Sequence, residues 1–169
     1  MARSLIFFLL FSISGWAQQT TAKVAFLEKW EHSKLYLMAI GDAMPENLYD
    51  YKPTERQMSF EEQLEHIRAN MHWLSETYFN QENNNSSEIE AAQNKAETLA
   101  LLAESFDRVR QIITDTPDAA LENTVNFFAG PKSRLQILNL LQDHVTHHRG
   151  QLVVYLNLNE IEPPKYVGW

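Results

Sequence analysis

The chain has 169 residues, with 14 basic against 22 acidic side chains, a formal charge of −8 and a hydrophobic fraction of 44%. That is the length of one domain with apolar matter enough for a core, and its negative field argues against binding a phosphate backbone or an anionic lipid surface. The absence of cysteine removes disulfides, thiolate metal sites and a Cys nucleophile, so any metal must be held by His, Asp or Glu.

In chain order the first element is a secretory signal peptide over residues 1–17. Arg3 precedes the apolar run Leu5 to Phe11, which is too short to span a bilayer, and small Gly15 and Ala17 sit two apart ahead of the expected cleavage. The expectation is an exported protein, periplasmic or secreted, with no stable membrane insertion after cleavage, whose single domain is residues 18–169.

Everything after that reads as helix. Phe26, Trp30, Ser33, Leu37 and Ile40 recur at helical spacing in a first helix from about Thr21 to Ala43, which stops before Met44-Pro45. Ser59-Phe60-Glu61-Glu62 has the form of a capping box and opens a second helix with the stripe Phe60, Leu64, Ile67, Met71, Leu74 and Tyr78. After the polar run Asn80 to Ser86, a second such box at Ser87-Glu88-Ile89-Glu90 predicts a third helix through Leu99, Leu102, Phe106, Val109 and Ile113. Asp115 to Lys132 reads as a long irregular connection whose Phe127 and Phe128 can fold back as a lid. Ser133-Arg134-Leu135-Gln136 then caps a fourth helix with the stripe Leu138, Leu141, Val145, His148 and Leu152. The fold class is an all-α four-helix bundle, and the long connection before its last helix suggests a crossover.

Histidine carries the chemistry. Six are present, and three fall in Asp143-His144-Val145-Thr146-His147-His148-Arg149-Gly150-Gln151. At about 100° per residue, His144 and His148 lie about 40° apart and one turn apart, so both imidazoles can face one metal. His148 lies on the apolar stripe, His144 about 70° to one side and His147 about 130° away. On the second helix His66 and His72 lie about 110° and 130° off the stripe on opposite flanks, so geometry alone does not settle which supplies a third ligand.

The run His66-Ile67 with Trp73-Leu74, the run His144-x-x-His147-His148-Arg149-Gly150-Gln151-Leu152 with Tyr155-Leu156, and the terminal Pro163-Pro164-x-Tyr166-Val167-Gly168-Trp169 resemble the DinB/YfiT-like superfamily. Trp30, Tyr51-Lys52-Pro53 and Phe127-Phe128-x-Gly130-Pro131 add to the likeness, which spans nearly all of the mature chain. The resemblance implies an up-down-down-up bundle with a divalent metal, commonly zinc or nickel, on three histidines: His66, His144 and His148. His147 matches a frequent residue of that family that does not ligate. Where the family usually places Gly before its Pro-Pro tail this chain has Glu160, and Asn159 is expected to take the left-handed cap instead.

Three imidazoles leave coordination positions open, which suits a catalytic rather than a closed structural site. A metal-dependent hydrolase or thiol-type transferase acting on a small-molecule substrate through activated water or thiol is the first expectation. Export weakens the thiol version, because low-molecular-weight thiols are cytoplasmic cosubstrates. The alternative is a non-catalytic metal-binding or stress-related module with a small ligand held in an apolar groove under Phe127 and Phe128. A homodimer through helix faces is possible in either case. Glu62, Asp143, Gln151 and Tyr155 are candidates to orient the imidazoles, with Asp143 more readily read as a solvated side chain. Arg149 is expected to pair with an acidic neighbour, and Gly150 to mark a close helix contact.

Overall fold

Each apolar stripe finds its partners in the computed structural model, which describes residues 20–80 and 91–167. The expected signal segment and the capping box at residues 87–90 lie outside the described residues. Helix α1 (Ala22–Ala43) is opened by Thr21, whose hydroxyl accepts the Val24 N–H at 3.2 Å. It stops at Met44, which is extended as the residue before a proline must be. Helix α2 (Phe60–Tyr78) starts at the full Ser59/Glu62 capping box, and helix α4 (Arg134–Leu158) at the corresponding Ser133/Gln136 box.

Helix α3 (Lys95–Asp115) begins later than the sequence suggested, since residues 91–94 are not helical. Asn94 caps it by accepting the Glu97 N–H at 3.0 Å, and the Glu97 carboxylate accepts from Gln93 N–H at 2.8 Å. This Asn-x-x-Glu arrangement is a cap in its own right and lies closer to the apolar stripe. The connection from α3 to α4 is also more ordered than expected. It holds a 3-10 turn at Asp118–Glu122 and a small antiparallel ladder, β1 (Thr124–Val125) on β2 (Lys132–Ser133), with Thr124 opposite Ser133. At its tip Gly130, at φ 93°, donates its N–H to Phe127 O at 2.9 Å, in the left-handed conformation that glycine tolerates.

The order of the helices follows from polar ties between them. Lys23 reaches Thr116 O at 2.9 Å and Lys34 reaches Asp107 at 2.6 Å, so α1 and α3 run antiparallel. Thr98 meets Glu61, and Arg108 meets Glu76 at 2.9 Å, so α2 and α3 run parallel. Gln63 meets Gln151 at 2.7 Å and Arg134 meets Tyr78 O at 2.7 Å, so α4 is antiparallel to α2. The bundle is therefore up-down-down-up, with α1 and α2 on one diagonal, α3 and α4 on the other, and the long connection crossing the bundle between the last two. The core runs along all four seams through Trp30, Leu37, Ile40, Phe60, Leu64, Met71, Phe106, Leu141, Leu152 and Tyr155. Among the described residues no helix is long and apolar enough to cross a membrane.

Candidate metal centre

The register of the site is set by the two capping boxes, which fix where α2 and α4 begin and hence how far along each the imidazoles fall. In α2, Ser59 Oγ accepts the Glu62 N–H at 3.1 Å while Glu62 accepts the Ser59 N–H at 2.6 Å. Glu62 is thereby used at the helix start and by Lys52, at 3.0 Å, and takes no part in orienting an imidazole.

The structure brings His66, His144 and His148 together across the α2/α4 seam, with one ring nitrogen of each within 4.8 Å of the others. His66 Nε2 and His144 Nε2 are 3.1 Å apart. Ring centroids lie 4.9 Å apart for His66 and His144, 4.6 Å for His66 and His148, and 4.4 Å for His144 and His148. His72 stays outside the group on the far flank of α2, and His147 is exposed, as their helical angles require. The three-imidazole donor set fits a divalent transition metal: zinc–nitrogen bonds of about 2.0–2.1 Å in a tetrahedral arrangement separate nitrogens by roughly 3.3–3.4 Å, close to the observed pair.

Burial keeps the rings of His144 and His148 neutral. Desolvation, followed by the field of His148, His66 and His147, lowers the His144 pKa from 6.5 to about 4. His148 is lowered from 6.5 to about 4 for the same first reason, then by His66 and His147. At neutral pH both therefore keep a ring lone pair available.

Which nitrogen of His148 carries the lone pair is set by a residue the sequence reading overlooked. Gln63, 2% exposed, accepts the His148 Nδ1–H through Oε1 at 2.5 Å, which leaves Nε2 free to face the cluster. The amide then donates from Nε2 to Gln151 Oε1 at 2.7 Å and to Tyr155 OH at 3.3 Å, and the phenol donates to Met58 O at 2.8 Å. Gln151 in turn donates to His147 Nε2 at 2.8 Å. Gln151 and Tyr155 act through Gln63 rather than on an imidazole of the trio directly. The signal was there: Gln63 lies about 60° off the α2 stripe, inside the apolar face and three residues before His66, where an unpaired amide would be costly. Asp143 is exposed, as expected of a solvated side chain.

Residues 18–166 match the family model described as the DinB family. The chain belongs to the DinB family. Among curated proteins it is 26% identical over 133 residues to the uncharacterized protein YjoA of Bacillus subtilis (strain 168), covering 75% of this chain and 84% of YjoA. The crystal structure of that DinB-like protein matches with a TM-score of 0.72 at 19% identity, over 85% of this chain and 97% of the other, which shows a shared fold. The all-α DinB-like bundle expected from the sequence is thus the fold, and a three-histidine group of this kind is compatible with metal binding.

Three local expectations are corrected. Arg149 makes no ion pair among the described residues: it is 5% exposed, its guanidinium lies 5.2 Å from the centre of the Tyr36 ring, and Nη1 has no hydrogen-bond partner. Its position on α4 turns it toward Tyr36 of α1. Gly150 marks no close contact, because nothing lies within 4 Å of where its Cβ would be. Glu160 itself adopts the left-handed conformation, at φ 59°, while Asn159 stays at φ −99° and ties its side chain to Tyr155 O at 2.8 Å. That hydrogen bond holds Asn159 on the right-handed side and passes the reversal to the next residue.

Proposed function

We propose that this DinB-family protein is an exported hydrolase dependent on one divalent ion, zinc or nickel, held by His66, His144 and His148. The observation that supports this most is the convergence of three imidazoles from two helices, with Nε2 of two of them 3.1 Å apart. When bound, such an ion supplies Lewis acidity and lowers the pKa of a water it holds toward about 7.

The chain's own residues prepare that chemistry. Gln63 holds the proton of His148 on Nδ1 and so fixes the ligand tautomer. Burial of His144 and His148 keeps protons from competing for the lone pairs at neutral pH. Gln151 and Tyr155 anchor Gln63 from α4, so the α2 and α4 contributions move together. Export and the lack of cysteine favour water over a thiol as nucleophile.

The test is hydrolysis of a panel of activated esters and amides by the zinc-loaded and nickel-loaded mature chain, beside His144→Ala and a chelated control. Turnover that disappears in both controls is the expected result. A chain that holds one ion yet turns over none of the panel would contradict hydrolysis and leave the reading of a small-ligand binding module.

A further inference from the structure

His66 and Trp73 are seven residues apart on α2, which places them within about 20° of one face and about 10 Å apart along the axis. On α4, Leu140 precedes His144 by four residues, again on the same flank. Because the two helices run antiparallel, both of these steps lead away from the histidines toward the same end of the seam, where Arg134 meets Tyr78 O. There the chain exposes apolar side chains from three segments: Trp73 is 39% exposed, Leu140 37% and Phe128 82%.

The aromatic part of this surface is built rather than scattered. Trp73 stacks on Phe127 with centroids 6.0 Å apart and planes 25° apart, and Phe127 is itself buried and seated on Tyr78 at 5.7 Å. Phe128 lies 4.3 Å from Phe127 and 6.2 Å from Trp73, held out by the β1/β2 ladder and the turn at Gly130. Two exposed rings about two helical turns from a polar cluster present apolar faces that water solvates poorly. Such a surface is suited to cover by a flat apolar group, and the placement of Trp73 on the same face of α2 as His66 says what that group is attached to.

We propose that Trp73 and Phe128 form a subsite for a flat apolar portion, an aromatic ring system, of the small molecule whose polar end reaches His66, His144 and His148. This rests on the metal reading above and narrows the substrate class: a polar, metal-reactive head joined to an aromatic group by a spacer of roughly two helical turns, about 10 Å. Leu140, exposed on α4, lies toward the same end of the seam.

The test uses the zinc-loaded full chain and two probes, acetohydroxamic acid and 6-phenylhexanohydroxamic acid, which share a metal-binding head and differ in the aromatic tail. The aryl probe is expected to bind about tenfold more tightly. Phe128→Ala and Trp73→Ala are expected to cut that advantage to about threefold or less while leaving acetohydroxamate affinity and zinc content unchanged. An undiminished advantage in both variants, or none in the wild type, overturns the subsite. A second arm needs no metal: 2-naphthol should shift the Trp73 indole N–H resonance of the metal-free chain, and more weakly in Phe128→Ala. If zinc fails to bind, the metal reading falls and this arm alone decides the subsite. Self-association that buries the shelf and is lost in Phe128→Ala would overturn it in favour of a second copy of the chain.

Discussion

The α1/α3 seam and the α2/α4 seam are built from the same kind of helix and treat polar groups in opposite ways. Between α1 and α3, Trp30 lies against Phe26 and Phe106 at 5.2 and 4.8 Å, and its one polar atom donates to Phe106 O at 3.0 Å. Between α2 and α4, a buried glutamine sits within the apolar face, and His144 Nδ1 and Asn70 Oδ1 are buried with no hydrogen-bond partner. Unsatisfied buried polar atoms destabilise a fold by about 1–3 kcal/mol each. The lesson is a division of labour: the dry seam stabilises the bundle, and the α2/α4 seam tolerates groups whose use is chemical.

Breaking the dry seam should have the largest effect on stability. Trp30→Ala is expected to lower unfolding free energy by about 3–5 kcal/mol, read from the denaturant midpoint, while the folded fraction keeps its metal. Loss of metal from the folded fraction of Trp30→Ala would show that the two seams are not separate.

Gln63→Leu attacks the other seam. It removes the acceptor of His148 Nδ1–H, and metal affinity is expected to fall about 10–100-fold, measured by chelator competition. Gln63→Glu, which keeps an acceptor, should retain more affinity than Gln63→Leu. Equal affinity in Gln63→Leu and the wild type would mean the tautomer is set elsewhere.

Acid sharpens the contrast without a mutation. For the metal-free chain, His144 and His148 have native pKa values of about 4 against 6.5 when unperturbed, burial being the main cause. Above 6.5 they are neutral in both states and contribute no slope. Between 6.5 and 4 the unfolded chain takes up protons that the native chain refuses, so stability falls as pH drops through that window and levels off below it. The loss should be on the order of 1 kcal/mol per histidine after allowing for partial exposure, and His144→Phe should flatten the curve.

The smallest effect tests α4 away from both seams. Gly150 lies in mid-helix with open space around it, so Gly150→Ala should add up to about 1 kcal/mol without altering metal content. A loss of stability would reveal a contact at that position.

Much of this division was legible in the sequence because periodicity reports which side of a helix is buried. The stripes of α1, α2 and α4 and three of the four helix starts followed from spacing and caps. His144 and His148 followed from a four-residue step on one helix, which needs no knowledge of tertiary structure. His66 did not: its flank of α2 faces α4 only because the connections put α1 and α2 on a diagonal, and the family resemblance supplied what angle alone left open. Gln63 was hidden because amides at moderate angles are common on helices, and only the facing His148 gives this one its task. The β1/β2 ladder escaped notice since two-residue strands carry no period. Glu160 was read through the usual preference of Asn for the left-handed region, which a side-chain bond to Tyr155 O overrides.

Metal content of the purified chain, measured after dialysis for the wild type and for single His→Ala variants, addresses the centre most directly. About one ion per chain is expected in the wild type, His72→Ala and His147→Ala, and less than about a tenth of that in His66→Ala, His144→Ala and His148→Ala. A full complement of metal in His66→Ala, or its loss in His147→Ala, would contradict a site shared between α2 and α4.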